Sequence, residues 1–283
     1  MKGAHAHLQR RALLMTGVAA LLSPAAAGAA GDAEMAAARE ELGGSAGRLR
    51  VAINLGNPIL AKRGAAPGAP EGVSVDIARE AARRLGLPVE LVEFDVAGKV
   101  VEAATAKQVD LAFVAIDPVR GAGLDYTAPY VVIEGAYLVR SESSLQCNED
   151  VDRSGTRVVV GRGSAYDLFL SRELHQATLV RAPTSPAVTD LFLAEKLDVA
   201  AGVKQQLEAD MRRLDGSPGA PALRLLPGRF MVIEQAVAVP KGRSAAQAWL
   251  RKLVEELKAS GFVADSLKRH AVEGAEVAPP ASS

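Results

Sequence analysis

The chain has 283 residues, of which 49% are apolar and 23% charged, a composition typical of globular proteins. It carries 33 basic and 33 acidic residues, and this balance argues against a nucleic-acid-binding protein, which usually has a basic excess. The single Cys cannot form an internal disulfide, and two of the four His lie at positions 5 and 7, which argues against a Cys/His metal site. We therefore expect no metal and no cofactor.

The first thirty residues have the three-part layout of a secretory signal peptide. Lys2, Arg10 and Arg11 precede an apolar run, Ala12–Leu22, which is followed by small residues with several A-x-A cleavage sites. This run is about half as long as the ~20 apolar residues that a spanning helix needs, so a membrane anchor is disfavoured. We predict that residues 1–29 are removed on export.

Export would leave a mildly acidic protein with 30 basic and 33 acidic residues, because the leader contains three basic residues and no acidic one. We expect it in the periplasm. The pair Arg10-Arg11 also fits the twin-arginine route, although ordinary leaders contain such pairs too. No Cys lies near the cleavage region, so we do not expect a lipoprotein.

The next part of the chain alternates between strand and helix patterns. In the segment 73–85 apolar residues recur at every fourth position, as on one helix face, and Gly86 follows as a helix-ending residue. The predicted elements of this half are helix 33–42, strand 49–53, helix 73–85, strand 89–94, helix 98–106 and strand 109–114.

The alternation then restarts. The predicted elements of this second half are strand 157–160, helix 165–174, strand 179–182, helix 185–194, strand 197–202, helix 204–211, strand 223–226 and strand 237–239. A long helix, 244–260, and a short helix, 263–270, come last, before a Pro/Ala/Ser-rich tail, 271–283, that we expect to be disordered. Alternating strands and helices predict an α/β fold with a mixed, mostly parallel sheet in each of two similar lobes.

A series of short motifs runs through the chain in a recognisable order. They are R-V-A-I at 50–53, E-G-V-S-V-D-I-A at 71–78, L-G-L at 85–87, V-D-L-A at 109–112, L-D-Y-T-A-P-Y at 124–130, V-G-R-G-S at 160–164, K-L-D-V-A at 196–200 and A-S-G-F at 259–262. Each motif is weak alone, but together they resemble bacterial extracellular solute-binding proteins of family 3, the periplasmic receptors of amino-acid ABC importers.

The resemblance implies the two-lobed fold of periplasmic binding proteins, with a ligand cleft between the lobes and hinge closure around the ligand. It places two crossings between the lobes, near Tyr137–Arg140 and Gln235–Val239. Lobe one would combine residues 48–137 with 236–270, and lobe two would hold residues 140–234. The implied partners are a small-molecule ligand and a membrane permease, with no nucleic acid, and we expect a monomer.

In this family an Arg after a lobe-one strand holds the ligand carboxylate as a bidentate fork, and Arg120 occupies that place. The alternative is that Arg120 only pairs with Asp117 or Asp125. Gly163 and Ser164 open a lobe-two helix, where free N–H groups and the helix dipole would attract the same carboxylate. Ser164 would equally be an ordinary helix cap, and both roles are compatible.

The sequence departs from the family pattern in four ways. Ala115 and Asp117 stand where the family usually has Thr or Ser, and the segment 110–120 is two residues shorter than usual. Val203 occupies the position of the acidic residue that normally binds the ligand ammonium. The aromatic residue of the first loop is missing around 57–60.

An ammonium buried without a counter-charge is strongly unfavourable, so another carboxylate replaces the missing one or the ligand has no ammonium. Asp117 and Glu134 are the candidate replacements, with a solvent-facing strand position as the alternative for Glu134. The predicted site is completed by Asn54, at the end of the first strand, and by Phe113 and Tyr166 as apolar walls.

Three functions are compatible with this fold class, since fold alone does not decide function. A periplasmic receptor for a carboxylate-bearing solute, either an amino acid or an amine-free organic acid, agrees best with the residues. A sensor or accessory protein is the second, and a cyclohexadienyl-dehydratase-like enzyme the third. We predict no enzyme, because Val203 removes a central carboxylate and neither His175 nor His270 lies near a predicted strand end.

Overall fold

The structure is a computed structural model that describes residues 24–43, 46–64 and 69–282, with side chains from residue 31 onward. Most of the predicted leader, 1–29, therefore lies outside the described residues. The first described element, helix α1 (Pro24–Gly43), includes the predicted helix 33–42. Within the described residues, no helix combines the length and the apolar character that crossing a membrane requires.

The first half of the chain forms the predicted alternation. After α1 its elements are β1 (Leu49–Asn54), β2 (Lys62–Arg63), β3 (Pro70–Glu71), α2 (Val73–Leu85), β4 (Val89–Phe94), α3 (Ala97–Thr105), β5 (Leu111–Ala115) and β6 (Leu124–Arg140). Helix α2 has the predicted bounds, because its apolar residues all lie on the buried face. Gly86 ends it at φ 62°, in the left-handed region that favours glycine.

The second half of the chain repeats this alternation, and the chain then returns through the strand Met231–Pro240 to pair with β5 and β6 of the first half. Its elements are β7 (Arg157–Gly161), α4 (Ala165–Glu173), β8 (Thr178–Ala182), α5 (Val188–Ala194), β9 (Val199–Val203), α6 (Lys204–Leu214), β10 (Leu223–Leu225), β11 (Met231–Pro240), α7 (Ser244–Ala259), α8 (Phe262–Arg269) and β12 (Glu276–Val277). The predicted helix 185–194 begins with a 3-10 turn, Ser185–Ala187, because Pro186 suits a first turn but cannot donate a backbone hydrogen bond.

Ten of the described strands form one sheet with the order β4-β1-β5-β11-β6-β9-β7-β8, to which β10 and β12 are added along β6. The runs β4-β1-β5 and β9-β7-β8 are parallel, whereas β11 and β6 are antiparallel to their neighbours. The predicted α/β class with mixed sheets is confirmed, although the two sheets are hydrogen-bonded into one through β6.

The change from one half of the sheet to the other occurs at Gly135. Residues 124–135 of β6 pair with β11, whereas residues 135–138 pair with β9. A Cβ at Gly135 would lie 2.7 Å from Met231 Cγ and 2.8 Å from Phe230 Cζ, so this position requires a glycine unless those side chains shift. Gly135 is therefore the residue of β6 at which strand pairing changes from β11 to β9.

The C-terminal tail is ordered, so our expectation of a disordered tail is wrong for the described residues 271–282. Strand β12 pairs with Val131 and Val132 of β6, and the Ala278 N–H donates to the Tyr130 carbonyl oxygen at 3.1 Å. Ala278 is buried, and Lys258 Nζ donates to the Pro279 carbonyl oxygen at 2.8 Å. The tail covers an edge of β6 whose backbone groups would otherwise be unpaired, a benefit that composition does not reveal.

Truncation after Gly274 should lower the free energy of unfolding by about 1–3 kcal/mol, because it removes the β12 hydrogen bonds and the buried Ala278. Urea unfolding followed by circular dichroism measures this loss. Truncation after Ala281, which keeps all of these contacts, is the matched control and should leave stability unchanged. Equal stability of the two truncated proteins would contradict the role given to β12.

Candidate ligand-binding cleft

A cavity of about 360 Å³, including the part open to solvent, lies between the two halves of the molecule. Its walls come from the carboxyl ends of β1, β5, β7 and β9 and from the loops that follow these strands, which is where α/β sheets usually bind ligands. The first half contributes Asn54, Gly56, Asn57, Ala97, Ala115 and Arg120. The second half contributes Ser164, Ala165, Tyr166, Ser185 and Val203, and β11 contributes Ile233 and Gln235.

Arg120 lies on the cavity wall and is almost fully buried, with 4% of its surface exposed. Its guanidinium donates to two carbonyl oxygens, that of Ala115 at 3.1 Å and that of Gly163, across the cleft, at 2.9 Å. Burial lowers the pKa of Arg120 from its ordinary value, and neither Asp117 nor Asp125 forms an ion pair with it. The cavity wall therefore carries a desolvated positive charge that forms no salt bridge with a described residue, although the nearby negative charge of Asp117 partly opposes the lowering of its pKa.

Asp117 also connects the two halves, but outside the cavity. Its Oδ2 accepts a hydrogen bond from Arg172 of α4 at 3.0 Å, and its Oδ1 accepts one from the Val119 N–H at 2.8 Å. The carboxylate is thus occupied by a salt bridge that joins the two halves beside the cavity. Asp117 is not among the residues that line the cavity.

The N-terminus of α4 faces Arg120 across the cavity. Ser164 caps the helix, accepting a hydrogen bond from the Asp167 N–H at 3.0 Å, and Asp167 Oδ2 in turn accepts one from the Gly163 N–H at 2.8 Å. The cap leaves the N–H groups at the first two helix positions, Ala165 and Tyr166, without an intrahelical acceptor. Both residues line the cavity, so these donors are available to an anion.

Of three further predicted site residues, two line the cavity and one lies in the core. Asn54 lines the cavity, and its Oδ1 accepts from the Gly56 N–H at 3.1 Å, which shapes the loop after β1. Tyr166 lines the cavity with its ring almost fully buried, and burial raises its pKa. Phe113 lies in the core instead, packed edge-on against Tyr130 with ring centroids 5.8 Å apart.

Glu134 lies on β6, away from the cavity wall. Its carboxylate forms ion pairs with Arg229 at 2.8 Å and with Lys204 at 3.2 Å. The hydrogen bond from Arg229 is the largest influence on its pKa, which is lower than usual. The structure thus places Glu134 in a half-buried ion-pair cluster with Arg229 and Lys204, and not on the cavity wall.

The sequence did not indicate several residues of the cavity wall, and four of these have side chains larger than that of Ala. These are Asn57, Ser185, Ile233 and Gln235. Ile233 and Gln235 are the inward-facing residues of β11, and the exposed Glu234 between them faces the opposite side, as strand alternation requires. A longer predicted β11 would have revealed this alternation, but the sequence predicted only residues 237–239 as strand.

The sequence profile of bacterial extracellular solute-binding proteins, family 3, matches residues 49–272. The chain belongs to this family. Its members have a two-lobed fold with a cleft between the lobes, so the predicted fold and resemblance are confirmed. No curated protein matches the chain.

Several solved structures superpose well on the chain although their sequences are distant. The solute receptor for L-cysteine of Neisseria gonorrhoeae has a TM-score of 0.70 at 20% identity, covering 85% of this chain and 94% of its own. A histidine kinase sensor domain with similarity to periplasmic binding proteins has a TM-score of 0.70 at 19% identity, covering 82% of this chain and 98% of its own.

An ancestral amino-acid-binding protein, a precursor of cyclohexadienyl dehydratase, has a TM-score of 0.66 at 18% identity, covering 79% of this chain and 95% of its own. The similarity therefore extends to receptors, a sensor and a relative of an enzyme. At these identities it establishes the fold alone.

Proposed function

We propose that the chain is the exported, periplasmic binding component of an ABC importer and that its two lobes close around a small carboxylate-bearing solute. Its membership of the solute-binding family and the signal-like leader support this role. The observation that carries the carboxylate assignment is the buried guanidinium of Arg120, which forms no ion pair with any described carboxylate.

Two features make a carboxylate the best match for this charge. A guanidinium has five N–H donors, and Arg120 uses one from each of two nitrogens for Ala115 and Gly163, so others remain for a ligand. The α4 N-terminus adds the N–H groups of Ala165 and Tyr166 from the other side of the cavity. A carboxylate between them would accept hydrogen bonds from both lobes, and this would hold the cleft closed.

A sensor function and an enzymatic function are the two alternatives. The sensor alternative uses the same cleft and differs only in the partner that reads the closed form; a histidine kinase sensor domain with this fold illustrates it. An enzyme would need a positioned carboxylic acid or His for proton transfer. Neither residue type is among the described residues that line the cavity, which favours binding over catalysis.

A thermal-shift screen of the protein without residues 1–29 tests the proposal, using amino acids and organic acids together with the neutral amide of each compound. We expect some carboxylates to raise the melting temperature, since ligand at 100 times Kd stabilises a protein by about 2.7 kcal/mol. The matching amides should have no effect. Stabilisation by amides or amines alone would refute the carboxylate assignment, and turnover of prephenate would refute a purely binding role.

A further inference from the structure

The cavity has an unusual charge inventory. Arg120 is the ionised side chain on its wall, and none of the described residues that line it is acidic. The other polar side chains there are neutral: Asn54, Asn57, Ser185 and Gln235 are among them. The wall that the described residues form therefore carries a net charge of about +1, which matches a ligand with one negative charge and no positive one.

Asp117 and Glu134, the two carboxylates proposed as partners for a ligand ammonium, are both engaged with cationic side chains. Asp117 pairs with Arg172 at 3.0 Å, and Glu134 pairs with Arg229 at 2.8 Å and with Lys204. None of these pairs opens onto the cavity. Binding a ligand ammonium with either carboxylate would require breaking an existing ion pair.

Asp210 is a third acidic residue near the cleft, because it lines a smaller cavity that shares Asn57 and Val203 with the first. Its Oδ2 accepts a hydrogen bond from the buried Thr189 hydroxyl at 2.8 Å, and its Oδ1 pairs with Arg213 at 3.2 Å. Both oxygens are therefore occupied, and the charge is balanced within the second half of the molecule.

Val203 and Asn57, which line both cavities, are uncharged. Val203, at the carboxyl end of β9, presents an apolar side chain to both cavities. Asn57 lines both cavities as well, and its Oδ1 is buried and has no hydrogen-bond partner in the described structure. A buried acceptor without a partner is unfavourable, so a neutral donor on a ligand would satisfy it.

We infer that the ligand is a small monocarboxylic acid that lacks an ammonium group and carries a hydroxyl in its place. The carboxylate binds to Arg120 and the α4 N-terminus, and the hydroxyl donates to Asn57 Oδ1 beside Val203. This inference rests on the proposed function, since it specifies the chemical class of the solute bound in the same cleft. It excludes amino acids, because their ammonium would be desolvated next to Val203 without a counter-charge.

Isothermal titration calorimetry with matched pairs tests the inference. The pairs lactate and alanine, glycerate and serine, and 2-hydroxyisovalerate and valine share a carbon skeleton and differ in the hydroxyl or ammonium. We expect the hydroxy acid of the best-binding pair to bind at least about tenfold more tightly than its amino acid. Equal or tighter binding of the amino acid would overturn the inference.

The variant Val203→Asp supplies the counter-charge and should shift the affinity ratio of the best pair toward the amino acid by at least about tenfold. Val203→Asn, of similar size and without charge, is the matched control and should not produce this shift. Circular dichroism verifies that both variants fold. If they do not, the inference is decided by the ratio of hydroxy-acid to amino-acid affinity in the unmodified protein.

The outcomes separate the inference from the proposed function. Tight binding of an amino acid that depends on Arg120 would overturn the inference and leave the carboxylate-binding function in place. Absence of binding by every acid, including those of the thermal-shift screen, would overturn both. Binding of a hydroxy acid and of its neutral amide with equal affinity would likewise overturn both, because the carboxylate would then make no contribution.

Discussion

Replacement of Arg120 by Ala should weaken ligand binding by about 2–5 kcal/mol, the range measured when one partner of a buried, hydrogen-bonded charge pair is removed. The guanidinium is almost fully buried on the cavity wall, and its two protein hydrogen bonds go to the carbonyl oxygens of Ala115 and Gly163. In the variant a bound carboxylate would lose its only nearby cation among the described lining residues. Calorimetry with the best ligand of the thermal-shift screen measures the change.

Arg162→Ala is the matched control, because Arg162 is exposed and lies only one residue before Gly163. It should leave affinity within about 0.5 kcal/mol, as expected of a surface substitution. Arg120→Lys should recover part of the affinity, since Lys keeps the charge but lacks the planar fork. If the two Arg→Ala variants bind the ligand equally well, Arg120 is not the carboxylate anchor.

Replacement of Phe192 by Ala should lower the free energy of unfolding by about 3–5 kcal/mol, the usual loss for a fully buried Phe. Phe192, on α5, has no exposed surface and packs in the core of the second half with Val159 and Leu197. The Arg140 guanidinium also lies 4.5 Å from its ring centroid, a cation–π contact that the variant loses. Urea unfolding measured by circular dichroism gives the change.

Phe262→Ala is the control for this variant. Phe262 is also a helical Phe, but it is only partly buried, at the first position of α8. Its replacement should therefore cost clearly less stability, because less apolar surface and a smaller cavity are involved. Equal losses for the two variants would mean that the second half has no tightly packed core around Phe192.

The local elements with strong patterns were predictable from the sequence. Helix α2 and strand β4 have the predicted bounds. Apolar spacing and a following Gly86 define the helix, and a short segment in which apolar residues predominate defines the strand. These signals are local: they depend on neighbouring residues of the same segment. Arg120 was identified differently, by its correspondence to the carboxylate-binding Arg of the family that the motifs resemble, and it does line the cavity.

The long strand β6 and the short strand β12 could not be predicted from the sequence. The apolar run Tyr130–Val139 was not predicted as an element of its own and was placed just before the first crossing, whereas it is part of the strand that joins both halves of the sheet. Strand β12 has only two residues and no apolar pattern of its own. Both form because a distant strand supplies hydrogen-bond partners, and sequence spacing carries no information about such partners.

The sequence by itself determined the alternating elements and the family. It also showed that Arg120 stands at the carboxylate-binding position and that Val203 replaces the usual acidic residue. The tertiary structure decided which charged side chains form salt bridges and which do not. Asp117 and Arg172 are 55 residues apart, and Glu134 and Arg229 are 95 apart, yet each pair forms a salt bridge. Both Asp117 and Glu134 were candidates for an ammonium partner until their cationic neighbours were known. Ion pairing depends on distances of a few ångströms, which only packing of the two lobes establishes.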